Sequence, residues 1–421
     1  MTALLTLAAR SAWNRRFVLS LIVLSIALST FLLLGIERIR TDVRDNFLES
    51  VSGTDLIVGP RTGSIQLLLY SVFRIGNATN NIAWRSVQDI AARPAVEWMI
   101  PLSLGDQHRG FPVVATTHAY FEHFRYGDRQ LLRIRRGGRF DALFDAVIGA
   151  EVADRLGYGL GDTVVFSHGN GIIPGSSHSD KPFTVVGVLE RTGTPVDRSI
   201  HISLEAMEGI HLDWVGGVAP APGESIPAAE LAQYDLTPRE VTAFLLGLKR
   251  RTAVFATQRM ISRFEGEPLM AVLPGIALDE LWDVLGAGER GLLAMSGLVS
   301  LVSLAGLMAV ILAGLNERRR ELAILRAVGA GPRQMLALLA IEGALVTLCG
   351  VVVGAVACGV AIALLRDWFE GQFGIALQWK MLSDNEWLLL GAVLAAGWLA
   401  SLVPGFRAYR LSLTDGLQPR V

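Results

Sequence analysis

The sequence predicts an α-helical membrane protein with four transmembrane helices and a large mixed α/β extracytoplasmic domain inserted between helices 1 and 2. Three observations predict it. Four apolar runs are each about 20 residues or longer, enough at about 1.5 Å per residue to cross roughly 30 Å of hydrocarbon. The long stretch between the first two runs carries β-branched, strand-like segments bounded by Gly, Pro or Asp. Arginines flank the runs on one side, which sets their orientation.

Residues 1–36 hold a basic entry segment and the first span, Phe17–Ile36, preceded by Arg10, Arg15 and Arg16. Those arginines put the N-terminus inside. A cleaved signal peptide is the competing reading. The apolar core is too long for one, no small-x-small cleavage site follows, and the chain runs on as GIERIRTDVRDNF, a helix leaving the membrane. The second span is Leu292–Leu315, the third Leu336–Leu365 and the fourth Trp387–Phe406, with Arg407 and Arg410 at the start of the tail 407–421. Both termini are therefore expected in the cytoplasm. Trp368, Phe369, Trp379 and Trp387 lie in or beside the short external loop 366–386, as an interfacial aromatic belt does.

The external part, 37–291, is long enough for one or two folded domains. Thr54–Gly59, Phe111–Thr116, Asp162–Ser167, Phe183–Leu189 and Val241–Arg251 read as strands. Trp84–Ala92, Ala146–Leu156 and Ala253–Phe264 read as helices, and Val215–Pro238, rich in Pro, Ala and Gly, reads as a loop.

Several function classes fall away. A net charge of −1 carries no basic excess to suggest nucleic acid. A phosphate-binding loop needs Gly-Lys-Ser/Thr, whereas the three lysines (Lys181, Lys249, Lys380) follow Asp180, Leu248 and Trp379. The chain thus cannot hydrolyse ATP by that route alone. Gly157, Gly159 and Gly161 imitate a dinucleotide fingerprint, but they follow a helix and precede a strand, the reverse of what the mechanism requires. Cys349 and Cys358 lie nine positions apart in one apolar run, too distant to bridge. No nucleophile elbow or catalytic constellation is present, so no catalytic residue is expected.

The connection 316–335, NERRRELAILRAVGAGPR followed by Gln334 and Met335, is the most informative segment. Arg318, Arg319, Arg320, Arg326 and Arg333 mark it as cytoplasmic. Leu322, Leu325 and Val328 recur at i, i+3 and i+6 as the apolar stripe of a short helix, which Gly329 and Gly331-Pro332 end. A basic topology loop lying on anionic headgroups is the plain alternative. Glu342, an acid early in the third span, is a packing or coupling candidate. Gly350 and Gly354 form a GxxxG pair that lets another helix approach. All seven histidines fall in the external part; His168 and His178 bracket a Gly/Ser-rich loop beside Asp180, a zinc- or copper-like donor set, but the spacings match no compact motif, scattered surface histidines are the plain reading, and no metal site is expected.

The run ERRRELAILRAVGAGPRQMLALLAIEGALVTLCG, from Glu317 to Gly350, resembles the FtsX-like permease module of MacB-type ABC transporters. Glu317, Arg318, Glu321, Leu322, Ala323, Ile324, Arg326, Ala327, Gly329, Glu342 and Gly343 fall on that family's pattern. The ending VPGFRAYRLSLTDGL, the entry ARSAWNRRF, and the external stretches GAEVADRLGYGLGDTVVF and FTVVGVLERTGTPVDRSIHISLEAM are similar to the same family. The resemblance implies a non-catalytic inner-membrane permease of the type VII ABC class; this sequence departs from the best-known efflux members in having no fused ATPase domain, so a tripartite macrolide pump is not implied. ATP and Mg enter only through a separate ATPase subunit, and the permease is expected to be a homodimer. Glu317, Arg318, Glu321, Leu322, Leu325, Arg326 and Gly329 are the expected ATPase-coupling residues. The implied work is mechanotransmission: export or release of a periplasmic or membrane-derived substrate such as a lipoprotein, a peptide or a small molecule, with a periplasmic or lipoprotein partner among the expected contacts. The alternative is a membrane-anchored sensor or scaffold whose external domain binds a ligand, metal or protein.

Overall fold

The computed structural model describes residues 16–76, 78–168, 177–214, 220, 224–317, 329, 331–373 and 382–414. They divide into two compact units: Val43–Leu285 with Trp368–Ala376, and Met1–Asp42 with Gly286–Asp367 and Leu377–Val421.

The chain opens with α1 (Arg16–Glu49), then β1 (Leu56–Pro60), α2 (Ser64–Ser71), β2 (Ile82–Ala83), α3 (Trp84–Ala91), β3 (Val96–His108) and β4 (Phe111–Thr116). It continues through α4 (Ala119–His123), β5 (Arg125–Tyr126), β6 (Gln130–Leu131), β7 (Ile134–Gly137), β8 (Asp145–Ile148) and α5 (Ala150–Leu156). Next come β9 (Thr163–Val164), β10 (Ser167–His168), β11 (Phe183–Leu189), β12 (Ile200–Ser203) and α6 (Leu204–His211). The α/β unit closes with β13 (Glu240–Val241), β14 (Ala243–Leu248), α7 (Val254–Ser262) and β15 (Leu269–Val272). The long helices α8 (Pro274–Glu317), α9 (Pro332–Phe373) and α10 (Asp384–Thr414) follow, and three short 3-10 turns at Pro195–Arg198, Leu231–Gln233 and Arg251–Ala253 complete the described elements.

One mixed sheet organises the α/β unit, in the order β15-β1-β14-β3-β4-β12-β8-β11-β7, with β10 on β3 and β9 on β11. The β12–β4 and β11–β8 pairs are parallel; the other pairs of this sheet are antiparallel. Because side chains alternate along a strand, each strand feeds two cores. Leu56 and Val58 enter one and Ile57 the other; Phe244 and Leu246 oppose Leu245 in the same way. The first core packs on Val87 and Ile90 of α3, Met207 and Ile210 of α6, and Val254 and Ile261 of α7. The second packs on Leu67 and Leu68 of α2 and Tyr120 and Phe121 of α4. Cover on both faces explains why the central strands are almost uniformly apolar.

The structure departs from expectation in places. Ala146–Leu156 is not one helix: Ala146, Val147 and Ile148 lie in β8, and the helix begins only at Ala150. Fully buried Val147 and Ile148 fit a central strand, and extended Gly149 sits against the carbonyls of Val196 and Asp197, where a side chain has no room. Asp162–Ser167 is not one strand either, because the chain changes partner from β11 at β9 to β3 at β10.

Among the described residues, four helical stretches are long and apolar enough to cross a membrane: Leu19–Phe47, Pro274–Ala313, Arg333–Arg366 and Asp384–Val403. The helices outrun their spans. The 44 residues of α8 extend about 66 Å at 1.5 Å per residue, against roughly 30 Å of hydrocarbon. Exposed Leu298, Leu301, Val302, Val352, Val356 and Leu388 present apolar surface, as lipid-facing helices do.

Candidate functional site

Small residues set the contacts of the helical unit. An added Cβ on Gly354 lies 2.5 Å from the Ala27 carbonyl oxygen and 2.8 Å from Thr30 Cβ; on Gly350 it lies 2.7 Å from Ile26 Cβ. Helices α1 and α9 therefore touch backbone to backbone at the GxxxG pair. The Ser25 and Ser303 hydroxyls are 2.8 Å apart, and Ser29 pairs with Ser300, joining α1 to α8. Gly343 meets Ser401, and Gly397 meets Thr347, joining α9 to α10.

At the C-terminal end of the first span lies a charged network. Arg40 bridges Glu289 at 2.6 Å and Glu37 at 3.0 Å. Asn385 Nδ2 donates to Glu37 at 3.1 Å, and Arg38 lies 3.5 Å from Glu386. Glu37 and Glu386 are buried. The network ties α1, α8 and α10 together with opposite charges, so the acids are not left uncompensated.

The start of α9 is fixed locally. Gly329 has φ +99°, a left-handed conformation natural to glycine, and Pro332 opens the helix, where its missing N–H costs nothing. Gly331 N–H donates to Gln334 Oε1 at 3.0 Å.

A second constellation stands in the α/β unit. Asp106 Oδ1 lies 2.8 Å from His168 Nδ1 and 3.9 Å from His178 Nε2; Asp106 Oδ2 lies 3.4 Å from His211 Nε2. His211 and His168 approach Nε2 to Nε2 at 3.1 Å. One donor atom from each of the four residues lies within 4.8 Å of all the others. The fold delivers each side chain separately. Asp106 and His168 are cross-strand partners in the β3–β10 register. The β3–β4 register shifts between Leu104 and Gln107, a bulge that re-aims Asp106. Ser177 bridges to Ser167, and His178 N–H donates to the Phe166 carbonyl at 2.9 Å, which returns the chain to the pair. His211 ends α6 and bonds through Nδ1 to the Met207 carbonyl at 2.8 Å. That bond makes Nδ1 the donor and turns Nε2 toward the cluster. Trp214 closes one side, with its ring centroid 4.7 Å from His168 and 4.5 Å from His178.

Charge and burial divide the four. Burial alone raises the Asp106 carboxyl, but the hydrogen bond with His168 and the imidazoles of His211 and His168 outweigh it and hold the group below the usual carboxylate range. The Asp106 carboxylate raises His168, whereas burial pushes His178 down to about 4, so His178 stays neutral. Behind the cluster, the fully buried Lys181 ammonium donates to Asp213 at 2.7 and 2.9 Å and lies 3.1 Å from Asp180.

The family model of the FtsX-like permease C-terminal region matches residues 293–413, and that of the MacB-like periplasmic core domain matches residues 19–232. The chain belongs to the MacB/FtsX-type family of ABC transporter permeases. It is a membrane protein with an extracellular domain, and permeases of this family are generally non-catalytic subunits that work with an ABC ATPase and often dimerise. Among solved structures, the periplasmic region of MacB from Actinobacillus actinomycetemcomitans is similar at 10% identity, over 56% of the permease and 97% of that chain, with a TM-score of 0.31. The extracellular domain of the noncanonic ABC-type transporter YknZ from Gram-positive bacteria is similar at 12% identity, over 52% and 98%, with a TM-score of 0.29. No curated protein matches the permease.

Of the residues singled out in the sequence, Gly350 and Gly354 lie at the α1–α9 contact, and Glu342 is buried in α9. Glu317 ends α8 and Gly329 lies in the turn before α9; Arg318, Glu321, Leu322, Leu325 and Arg326 lie outside the described residues, as does Trp379. His168 and His178 come together, but Asp180 does not join them: it bonds Ser225 and pairs with Lys181. The carboxylate among the histidines is Asp106, and the third imidazole is His211. Sequence reasoning missed both because Asp106 lies 62 positions before His168 and His211 lies 33 after His178. It also missed Glu37, Arg40, Glu289 and Glu386, although four charged residues at the ends of apolar runs were a visible signal.

Proposed function

We propose that this permease couples ATP hydrolysis by a separate ATPase subunit to motion of its α/β domain, which expels or releases a periplasmic or membrane-derived substrate such as a lipoprotein, a peptide or a small molecule. In this reading the α/β domain is the extracytoplasmic insert between spans 1 and 2, both termini are cytoplasmic, the membrane is the inner one, and two permeases act as a dimer. The observation that carries it is the arginine-rich segment between α8 and α9 in a chain that belongs to this family. Arg318, Glu321 and Arg326 grip the ATPase, Leu322 and Leu325 fill its groove, and Glu317 and Gly329 join the short helix to α8 and α9. Motion entering there reaches the far side through helices that are unbroken along their spans. Backbone contact at Gly350 and Gly354, and the charged network of Glu37, Arg40, Glu289 and Glu386, support movement of the spans as one body.

The test is co-purification of the tagged permease from its native membrane, with ATPase activity measured in lipid for wild type and Leu322→Glu. An ABC ATPase that accompanies the wild type and is released by the substitution is the expected result. A well-folded permease that emerges alone overturns the reading.

A further inference from the structure

We propose that Asp106, His168, His178 and His211 form a binding site for one divalent zinc-class ion in the α/β domain. The inference is independent of ATPase coupling and rests on the geometry of the cluster.

The donor set fits the ion. Three imidazoles and one carboxylate are the ligand types that zinc takes, and its neighbours copper, nickel and cobalt accept the same atoms. In a tetrahedral site with bonds of about 2.0–2.1 Å, ligand atoms stand roughly 3.4 Å apart. One donor atom from each of the four residues lies within 4.8 Å of all the others, so a modest contraction of the side chains toward a common centre admits an ion. His211 already presents Nε2 to the cluster, its Nδ1 held by the Met207 carbonyl.

A purely polar cluster accounts for these residues less well. Both Asp106 oxygens and both His178 nitrogens are buried with no hydrogen-bond partner among the described residues. Each buried orphan is costly, and native interiors leave few of them. His168 Nδ1 lies 2.8 Å from Asp106 Oδ1, a contact that reaches only one of the two carboxylate oxygens. An ion at the centre takes one lone pair from Asp106 and one from His178, and so satisfies one buried atom of each. Asp106 and His178 side chains are 0% exposed, while His168 and His211 are 33% and 30% exposed, which leaves a route in through the two outer imidazoles. Lys181 does not oppose the ion, because Asp213 and Asp180 balance its charge.

Four protein donors fill a tetrahedron and leave no place for an activated water. The ion therefore acts as a clip rather than a hydrolytic centre. It fastens the β3–β10 pair and the strand turn at His178 to the end of α6.

The experiment uses the full chain in lipid nanodiscs, carrying a tag without histidine and stripped with a chelator. Zn2+ is added, and bound metal is measured by equilibrium dialysis with elemental analysis. One ion per chain is expected, with affinity at least about 100-fold weaker in Asp106→Asn and His178→Gln, since even supporting residues of metal sites cost 10- to 100-fold. His118→Gln and His123→Gln, outside the cluster, leave binding unchanged. Wild type that binds no more Zn2+ than His178→Gln overturns the proposal. Should the buried variants not fold, Co2+ loading of the wild type decides. Intense visible bands of a low-coordinate nitrogen–oxygen set, accompanied by a change in Trp214 fluorescence that Trp214→Phe abolishes, sustain it; the pale spectrum of six-coordinate aqueous Co2+ refutes it.

Discussion

Substituting Gly354 with alanine tests whether α1 and α9 are truly in backbone contact. The new Cβ lies 2.5 Å from the Ala27 carbonyl oxygen and 3.1 Å from Ala27 Cα, both main-chain atoms that no rotamer change can move. Ordinary contact begins near 3.4 Å, so the helices must part by roughly 1 Å, or a side chain must be forced against the backbone. Overpacking of this kind costs about 1–3 kcal/mol. Alanine regains up to about 1 kcal/mol of helix propensity over glycine. With the full propensity gain the balance is a loss of up to about 2 kcal/mol, and the backbone contact places it toward the upper end. The control is Gly391→Ala in α10, where the added Cβ meets nothing within 4 Å, and where stability is unchanged or rises. The assay is unfolding of the full chain in nanodiscs, followed by intrinsic fluorescence. Gly354→Ala should melt below wild type and Gly391→Ala should not. If the two behave alike, helices α1 and α9 do not meet at this point, and the rigid-body argument loses its main contact.

Two further predictions concern the α/β domain. His201 is fully buried, bonds through Nδ1 to the Val147 carbonyl at 3.3 Å, and burial pushes its pKa down to about 3. The unfolded chain takes up that proton below about pH 6.5 while the folded domain refuses it, so stability is full above that pH and falls by about 1.4 kcal/mol per unit down to about pH 3. His201→Gln should flatten this acid limb in denaturant titrations taken from pH 7 to pH 4; an unchanged limb contradicts the assignment. Asp213→Ala strands the buried Lys181 ammonium and should cost about 3 kcal/mol, the low end for breaking a buried pair because Asp180 remains at 3.1 Å. Lys181→Met in the same background should restore much of that loss, and a failure to do so shows that the pair is not what Asp213 supports.

Much of the helical unit was legible in the sequence because a membrane span is a local property. Twenty apolar residues must form a helix in lipid whatever surrounds them, and the GxxxG pair announces a close contact. The sheet was legible strand by strand where β-branched runs were clean, as at Phe111–Thr116 and Phe183–Leu189. It was not legible at Val96–His108, the longest strand, because Pro101, Gly105 and Asp106 interrupt its pattern; the bulge that accommodates Gly105 and Asp106 exists only through pairing with β4. The histidine cluster was half legible for the same reason. His168 and His178 are close in sequence, whereas Asp106 and His211 arrive by strand register and by the length of α6. Asp180 is close in sequence to His178 but turns toward Lys181, since a fully buried ammonium demands countercharge more strongly than a neutral imidazole does.

The central claim is that ATP turnover moves the external domain. The most direct measurement places a spin label at the exposed Gln130 of β6, with Cys349 and Cys358 replaced by alanine, in the permease reconstituted with its ATPase. Label-to-label distances between the two permeases are then read without nucleotide and with Mg-ATP trapped. Distance distributions that differ between the two states, and that become identical when Leu322→Glu disconnects the ATPase, are the predicted result. Identical distributions in a wild-type complex that is visibly hydrolysing ATP contradict the account.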